Sequence, residues 1–187
     1  MIALLLLLSL LAYVIGGIPT GYLIARMRGI VDIRNYGSGN IGATNAARVL
    51  GWPYFVLIFF LDAGKAFLFV FVLKAYFDPI QCYGAATCLL LGNIFSPFLQ
   101  GRGGKGVATL SGLLAALHPF VVMLMLCIWV LVLLLIRIVG IASVGTALCL
   151  PLLVYSVSDN YMLFCFSLFS AFMIIWTHRY NIRAFLE

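Results

Sequence analysis

Residues 53–77 read PYFVLIFFLDAGKAFLFVFVLKAYF. Almost every side chain in this stretch is aliphatic or aromatic. Its 25 residues exceed the roughly 20 that a helix needs to cross the hydrocarbon core of a bilayer. Two ionisable residues, Asp62 and Lys65, fall well inside it. A charge at that depth costs about 2.5–3.5 kcal/mol on insertion scales. Three residues apart, the two share a helix face and can pair toward the interior of a bundle. The stretch therefore reads as a transmembrane helix with an internal ion pair.

The flanking sequence extends this reading. Of 187 residues, 65% are hydrophobic and 9% charged, whereas a soluble domain is about half apolar and a quarter charged. Further apolar runs cover 2–25, 79–99, 107–118, 120–138, 141–158 and 160–178. The expected fold is an all-α integral membrane protein of seven transmembrane helices, forming a single domain over 1–187. The opening run, MIALLLLLSLLAYVIGG, has no basic start and no small-residue cleavage site, and its first positive charge, Arg26, follows it. It reads as a first span that stays rather than a removed signal.

Charge sets the expected orientation. Arg26, Arg28, Arg34, Arg48, Arg102, Lys105, Arg137, Arg179 and Arg183 fall in or beside one set of connections. The other set has Lys74 near a span end, with Asp78 and Asp159 in its turns. The positive-inside rule then places the N-terminus outside and the C-terminus in the cytoplasm. The net charge of +6 comes from these span ends. No basic stripe with interleaved aromatics points to nucleic acid. The five cysteines, Cys82, Cys88, Cys127, Cys149 and Cys165, are scattered through apolar runs without metal-ligand spacing, and read as small buried hydrophobes. The run at 107–118 is too short for a full crossing, so the connection at 100–106 is expected to dip into the membrane or the run to be re-entrant. Such backbone is tolerated only against protein or a wet cavity.

Two connections on the basic side are rich in glycine. Gly37-Ser38-Gly39-Asn40-Ile41-Gly42 and Gly101-Arg102-Gly103-Gly104-Lys105-Gly106 both match G-x-G-x-x-G. Neither follows a strand in a βαβ unit, so neither is a dinucleotide fingerprint. Each runs into a helical stretch, whose N-terminus offers free N–H groups and a positive dipole end to an anion. Each brings a cation, Arg48 or Lys105, and Ser38, Asn40, Thr44, Asn45 and Thr109 add polar partners. Ordinary flexible turns are the bland alternative, but two cation-bearing loops on one face favour two phosphate-sized anion sites. At a third end of the same face, His178 and Asn181 share a helix face within WTHRYNIR. The surrounding Trp, Tyr and Arg also fit an interfacial belt. Ser143, near Arg137, is a weaker polar candidate beside its default as a packing residue, and His118 before Pro119 reads as a helix end.

SGNIGATNAARVLG, GGKGVAT and HRYNI, in that order and separated by spans, closely resemble the three motifs of the bacterial acyl-phosphate:glycerol-3-phosphate acyltransferases. The resemblance extends to GGIPTGYLIARMRGIVDIRNYGSGNIGATN, to Asp62 and Lys65, and to length and span layout, so it covers essentially the whole chain. Three positions depart from it: the family usually has His where Asn93 stands, often Gly at Ala66 and commonly Ser at Gly140.

The resemblance implies transfer of a fatty acyl group from acyl phosphate to the 1-hydroxyl of sn-glycerol 3-phosphate, giving lysophosphatidate and phosphate. It implies a bacterial plasma membrane enzyme whose site faces the cytoplasm, with no cofactor or metal and no obligate protein partner. Its catalytic residues would be His178, Asn181, Ser38, Lys105 and Arg48. Gly39, Asn40, Gly42, Ala43, Thr44, Asn45, Gly103, Gly104, Gly106, Thr109 and Ser143 would bind the phosphate-bearing substrates. Acyl phosphate is an anhydride with a good leaving group, so positioning and charge neutralisation suffice. No activated Ser or Cys suggests an acyl-enzyme. His178 either takes the hydroxyl proton or orients the hydroxyl while the donor phosphate accepts the proton; the good leaving group and nearby arginines favour orientation. The rival class is a transporter of phosphate-bearing anions, which would place broken-helix termini at the membrane midplane.

Overall fold

The computed structural model describes residues 2–187. The expected domain limits, 1–187, therefore begin at a residue, Met1, outside the described part. Among the described residues there is helix, 3-10 turn and loop but no strand. Helix α1 (Ile2–Gly17) and helix α2 (Thr20–Met27) form one apolar stretch, Ala3–Met27, broken at Ile18-Pro19. A short α3 (Ala43–Leu50) leads into α4 (Trp52–Tyr76), followed by α5 (Pro79–Ile94), α6 (Val107–Leu117), α7 (Pro119–Ile136), α8 (Val139–Val157), α9 (Tyr161–Thr177) and α10 (Arg179–Leu186). Five stretches are long and apolar enough to cross a membrane, and a sixth is added if α9 and α10, bent by 57°, count as one.

The expected ion pair in α4 is present, and it has a partner the sequence did not reveal. Lys65 Nζ lies 2.7 Å from Asp62 and donates at 2.8 Å to the Ile18 carbonyl. Thr20 Oγ1 donates to the Asp62 carboxylate. Pro19 has no N–H and interrupts the helical ladder between α1 and α2. The pair thus gives a second donor to a carbonyl at that break, which also accepts from Thr20 N–H at 3.0 Å.

Close helix contact follows from small residues. A methyl on Gly92 of α5 would run into the Tyr13 carbonyl of α1, and one on Gly112 of α6 into the Ala63 carbonyl of α4. In lipid no hydrophobic force drives helices together, so such backbone approach, with its dispersion contacts, holds the bundle. Polar clasps add to it: Tyr13 Oη donates to the Phe95 carbonyl at 2.6 Å and Ser96 Oγ to the Gly17 carbonyl at 2.6 Å. The main core joins Leu89 and Leu90 of α5, Leu113 and Leu114 of α6, Leu150 of α8 and Ile174 of α9. A smaller one, with Ala25, Ile33, Ile41, Ala46, Ile58 and Leu99, supports the connection between α2 and α4. Helix α7 buries only Val121 fully; Val122 and Met125 pack half-buried against the core, while Met123, Leu126, Val130, Leu134 and Leu135 face outward.

The short α6 has a structural cause. After the 3-10 turn Pro97–Leu99, the chain doubles back along the end of α5. Gly103 N–H donates to the Ile94 carbonyl at 3.0 Å and Gly104 N–H to the Asn93 carbonyl at 2.8 Å. Helix α6 then runs for 11 residues, roughly 17 Å at 1.5 Å per residue. The connection at 100–106 thus folds back against the end of α5 before α6 begins.

Candidate functional site

Three separate connections meet at one end of the bundle and enclose a cleft of about 850 Å³. One wall is residues 32–40, the second residues 101–105, and the third the junction of α9 and α10 from Trp176 to Phe185. Arg34, Arg102, Lys105 and Arg179 all line it, with Asp32 as the lone carboxylate among the lining residues.

The first wall is organised by Asn45. This residue is 1% exposed. Its Nδ2 donates to the carbonyls of Asn40 at 2.8 Å, Tyr36 at 3.0 Å and Ile33 at 3.3 Å. Its Oδ1 accepts from Ser38 N–H at 2.8 Å. With its amide fully engaged, Asn45 shapes the loop from behind while Ser38, Gly39 and Asn40 face the cleft. Gly37, with φ +61°, must be glycine because a Cβ there would meet Asn45 Oδ1. Asn40 Oδ1 accepts from Gly42 N–H at 2.8 Å, leading the chain into α3. Gly42, Ala43, Thr44 and Arg48 belong to that helix start and its first turns, outside the cleft lining.

The second wall corrects the expected use of its glycines. The N–H groups of Gly101, Arg102, Gly103 and Gly104 donate to the carbonyls of Ser96, Leu99, Ile94 and Asn93. They are engaged by the turn at the end of α5 and are not an open cradle. Glycine is required at 103 because a Cβ would meet the Ile94 carbonyl oxygen at 2.6 Å, and at 106 because the chain turns into α6 at φ +85°. Gly103 and Gly104 line the cleft, whereas Gly106 and Thr109 are buried beneath it. Thr109 Oγ1 has no partner in the protein.

Lys105 joins the second wall to the third. Its Nζ donates to Asn181 Oδ1, and its carbonyl accepts from Thr177 Oγ1 at 3.1 Å. Burial holds its pKa below the ordinary lysine value, and the Arg48 charge pushes the same way. Arg48 is exposed; its charge is felt at Lys105 although its side chain does not line the cleft.

His178 lies at the bend between α9 and α10, 3% exposed, behind the lining residues Thr177 and Arg179 and not itself in the cleft lining. Its Nδ1 is 2.8 Å from the Ile174 carbonyl, which places the proton on Nδ1 and leaves Nε2 as the acceptor. Burial, reinforced by the Lys105 charge, lowers its pKa to about 4, against a weaker opposing effect of the bond to Ile174. The ring is therefore neutral near pH 7. Ser143 accepts from Trp129 Nε1 at 3.2 Å and donates to the Val139 carbonyl at 3.0 Å. It pins α7 to α8 and does not line the cleft.

Three cations of the cleft, Arg34, Arg102 and Arg179, were outside the expected site residues and came forward only with the fold. Arg34 grips Asp32 through Nε and Nη2 at 2.7–3.0 Å. The guanidinium holds the Asp32 carboxyl below its ordinary range. The two residues meet because Asp32 caps a 3-10 turn by accepting from Arg34 N–H, a turn with no periodic signature in sequence. Arg179 lies 4.6 Å from the Trp176 ring and 4.5 Å from the Tyr180 ring, and Nη1 donates to the Trp176 carbonyl at 3.0 Å. Aromatic faces hold a guanidinium without neutralising it, so this charge remains available to an anion.

A helical bundle with spans of membrane-crossing length and a polycationic cleft at one end defines a membrane protein with a site suited to anionic groups. The family model described as glycerol-3-phosphate acyltransferase matches residues 6–187, and the chain belongs to that family. It is 37% identical over 186 residues to a glycerol-3-phosphate acyltransferase of Prochlorococcus marinus, covering 97% of this chain and 93% of the relative. A Thermus thermophilus relative of the same description is 39% identical over 186 residues, covering 95% of this chain and 89% of its own. The crystal structure of PlsY (YgiH), an integral membrane glycerol 3-phosphate acyltransferase, in its glycerol 3-phosphate form matches with a TM-score of 0.92 at 35% identity, over 97% of this chain and 92% of that one. Its lysophosphatidic acid form matches with a TM-score of 0.90 at 33% identity, over 97% and 91%.

Proposed function

We propose that this chain transfers a fatty acyl group from acyl phosphate to the 1-hydroxyl of sn-glycerol 3-phosphate, yielding lysophosphatidate and inorganic phosphate. The observation that carries the reading is the cleft, where Arg34, Arg102, Lys105 and Arg179 converge and can hold two phosphate-bearing substrates side by side. One face of the cleft is polar, with Ser38 and Asn40; Phe95, Ile138, Trp176 and Phe185 supply apolar surface beside it. That division suits a water-soluble acceptor and a donor with an acyl tail.

In this reaction the 1-hydroxyl oxygen attacks the acyl carbonyl carbon. A carbon–oxygen ester bond forms, the anhydride carbon–oxygen bond breaks, and the hydroxyl proton leaves with the departing phosphate. Lys105 and Arg48 offset the repulsion between the two phosphates, and Ser38, Gly39 and Asn40 position the acceptor. Gly42, Ala43, Thr44 and Asn45 shape that wall, while Gly103, Gly104, Gly106 and Thr109 shape the one carrying Lys105. Asn181 fixes the Lys105 ammonium. His178, which sits behind the lining residues Thr177 and Arg179, is assigned the orienting of the hydroxyl through Nε2 when substrate fills the cleft, in keeping with a neutral ring whose pKa is about 4; Ser143 acts as a packing residue.

The single domain over 1–187 crosses the bilayer seven times, α6 being the short crossing. The N-terminus is outside and the cleft faces the cytoplasm of a bacterial inner membrane, in line with the Lys and Arg asymmetry. Reconstituted protein should make lysophosphatidate from acyl phosphate, and not from acyl-CoA or acyl carrier protein. Single cysteines at positions 38, 102 and 183, in a background lacking the native five, should be labelled only from the cytoplasmic side. A thioester as the working donor sinks the donor assignment, and labelling from opposite sides sinks the topology.

A further inference from the structure

At the end of the bundle opposite the cleft, a groove of about 400 Å³ opens on the lipid-facing side of α4 and α6. Phe67 and Phe71, stacked with ring centroids 5.4 Å apart, form one wall. Ala115 and Ala116 line it where α6 ends, and Pro119 of α7 borders it. Lys74 also lines it. Of the 11 Lys and Arg residues in the chain, only Lys74 stands at this end.

A lysine near a span end ordinarily snorkels, extending its ammonium to the interface. Lys74 instead folds across the groove and donates to the Ala116 carbonyl at 2.7 Å. That carbonyl lies in the last turn of α6, where the helix leaves its final acceptors unmatched. No carboxylate pairs with Lys74 among the described residues. One carbonyl uses one of three ammonium donors, so a full positive charge with spare donors sits over an apolar recess. A ligand matching this arrangement has an anionic oxygen cluster joined to a hydrocarbon chain.

We propose that this groove is a binding site for an anionic glycerophospholipid of the leaflet opposite the cleft. Its phosphate engages Lys74 and one acyl chain lies along Phe67, Phe71 and Ala115. Such a lipid brackets the junction of α4 with α6, the helix that the returning loop leaves short.

The test is titration of the purified full-length protein with phosphatidylglycerol, diacylglycerol or inorganic phosphate, read by native mass spectrometry as bound adducts. Phosphatidylglycerol should be retained at one molecule per chain, diacylglycerol should bind at least about tenfold more weakly, and inorganic phosphate should not displace the lipid. Lys74→Ala should weaken retention at least about tenfold, and Lys74→Arg should restore it. Ala115→Phe, which fills the recess and leaves Lys74 in place, should weaken it comparably. Unchanged helical content by circular dichroism identifies folded variants. Equal binding of diacylglycerol, displacement by inorganic phosphate, or wild-type retention in either folded Lys74→Ala or Ala115→Phe overturns the proposal.

Discussion

Replacing Asn45 by Ala removes the amide that holds the first wall of the cleft. Four hydrogen bonds end on it: three carbonyls, of Ile33, Tyr36 and Asn40, and one N–H, of Ser38. Each bond contributes about 1 kcal/mol net, and a buried group left unmatched costs about 1–3 kcal/mol. Water entering the space can recover part of that, so a loss of about 3 kcal/mol in loop order is expected, equal to about two decades in rate if the loop must be formed for reaction. Asn45→Asp retains an acceptor for Ser38 but removes the donor shared by three carbonyls, and should behave nearly as badly. The assay is steady-state acyl transfer by purified protein, with thermal unfolding followed in parallel. kcat/KM should fall about a hundredfold while the melting of the whole bundle shifts less, because the loop packs on the smaller cluster around Ile33 and Ile41, apart from the main core. Wild-type turnover in Asn45→Ala would refute the view that this buried amide positions Ser38, Gly39 and Asn40.

The pH profile of kcat/KM should lack an inflection near 6.5 from His178, since its folded pKa is about 4; an inflection there that vanishes in His178→Asn would make it the base. The same depression makes the unfolded chain bind more protons between about pH 4 and 6.5. Stability from this group should therefore be full above 6.5 and be lost as pH falls toward 4, by about 3 kcal/mol, and His178→Asn should flatten that part of the unfolding curve. Gly103→Ala should lower kcat at least about tenfold by forcing the loop off the Ile94 carbonyl. Gly64→Ala, where a methyl meets nothing, should be neutral or stabilise by up to about 1 kcal/mol. Lys65→Met strands a buried carboxylate and should destabilise by about 3–5 kcal/mol, more than the double replacement Asp62→Leu with Lys65→Met; equal losses would show that the pair makes no mutual contribution.

The long spans were legible because lipid demands unbroken apolar length. The run at 53–77 became Trp52–Tyr76, and that at 160–178 became Tyr161–Thr177. The pairing of Asp62 with Lys65 followed from helical spacing, but its bond to the Ile18 carbonyl depends on where α1 breaks against α4, which no local pattern encodes. The glycine loops illustrate a different limit. A G-x-G-x-x-G string is compatible with an anion cradle and with close backbone packing alike. At Gly103 and Gly104 the nearby carbonyls of Ile94 and Asn93 decide for packing, and they lie nine and eleven residues away in sequence, across a reversal. Asn45 was recognisable as polar and near the site, but its four bonds depend on the tertiary course of residues 33–40. Arg34 and Arg179 were counted as orientation charges, and their place in the cleft required the three walls to be assembled.

The central claim is direct transfer between two substrates held together in the cleft. It is tested most directly by mixing the purified protein with acyl phosphate, in the presence and absence of glycerol 3-phosphate, and quantifying phosphate and lysophosphatidate from the first turnover onward. Both products should appear in equimolar amounts, with no enzyme-stoichiometric burst of phosphate when glycerol 3-phosphate is withheld. A phosphate burst equal to the enzyme concentration without the acceptor, with the acyl group retained on the protein, would contradict it.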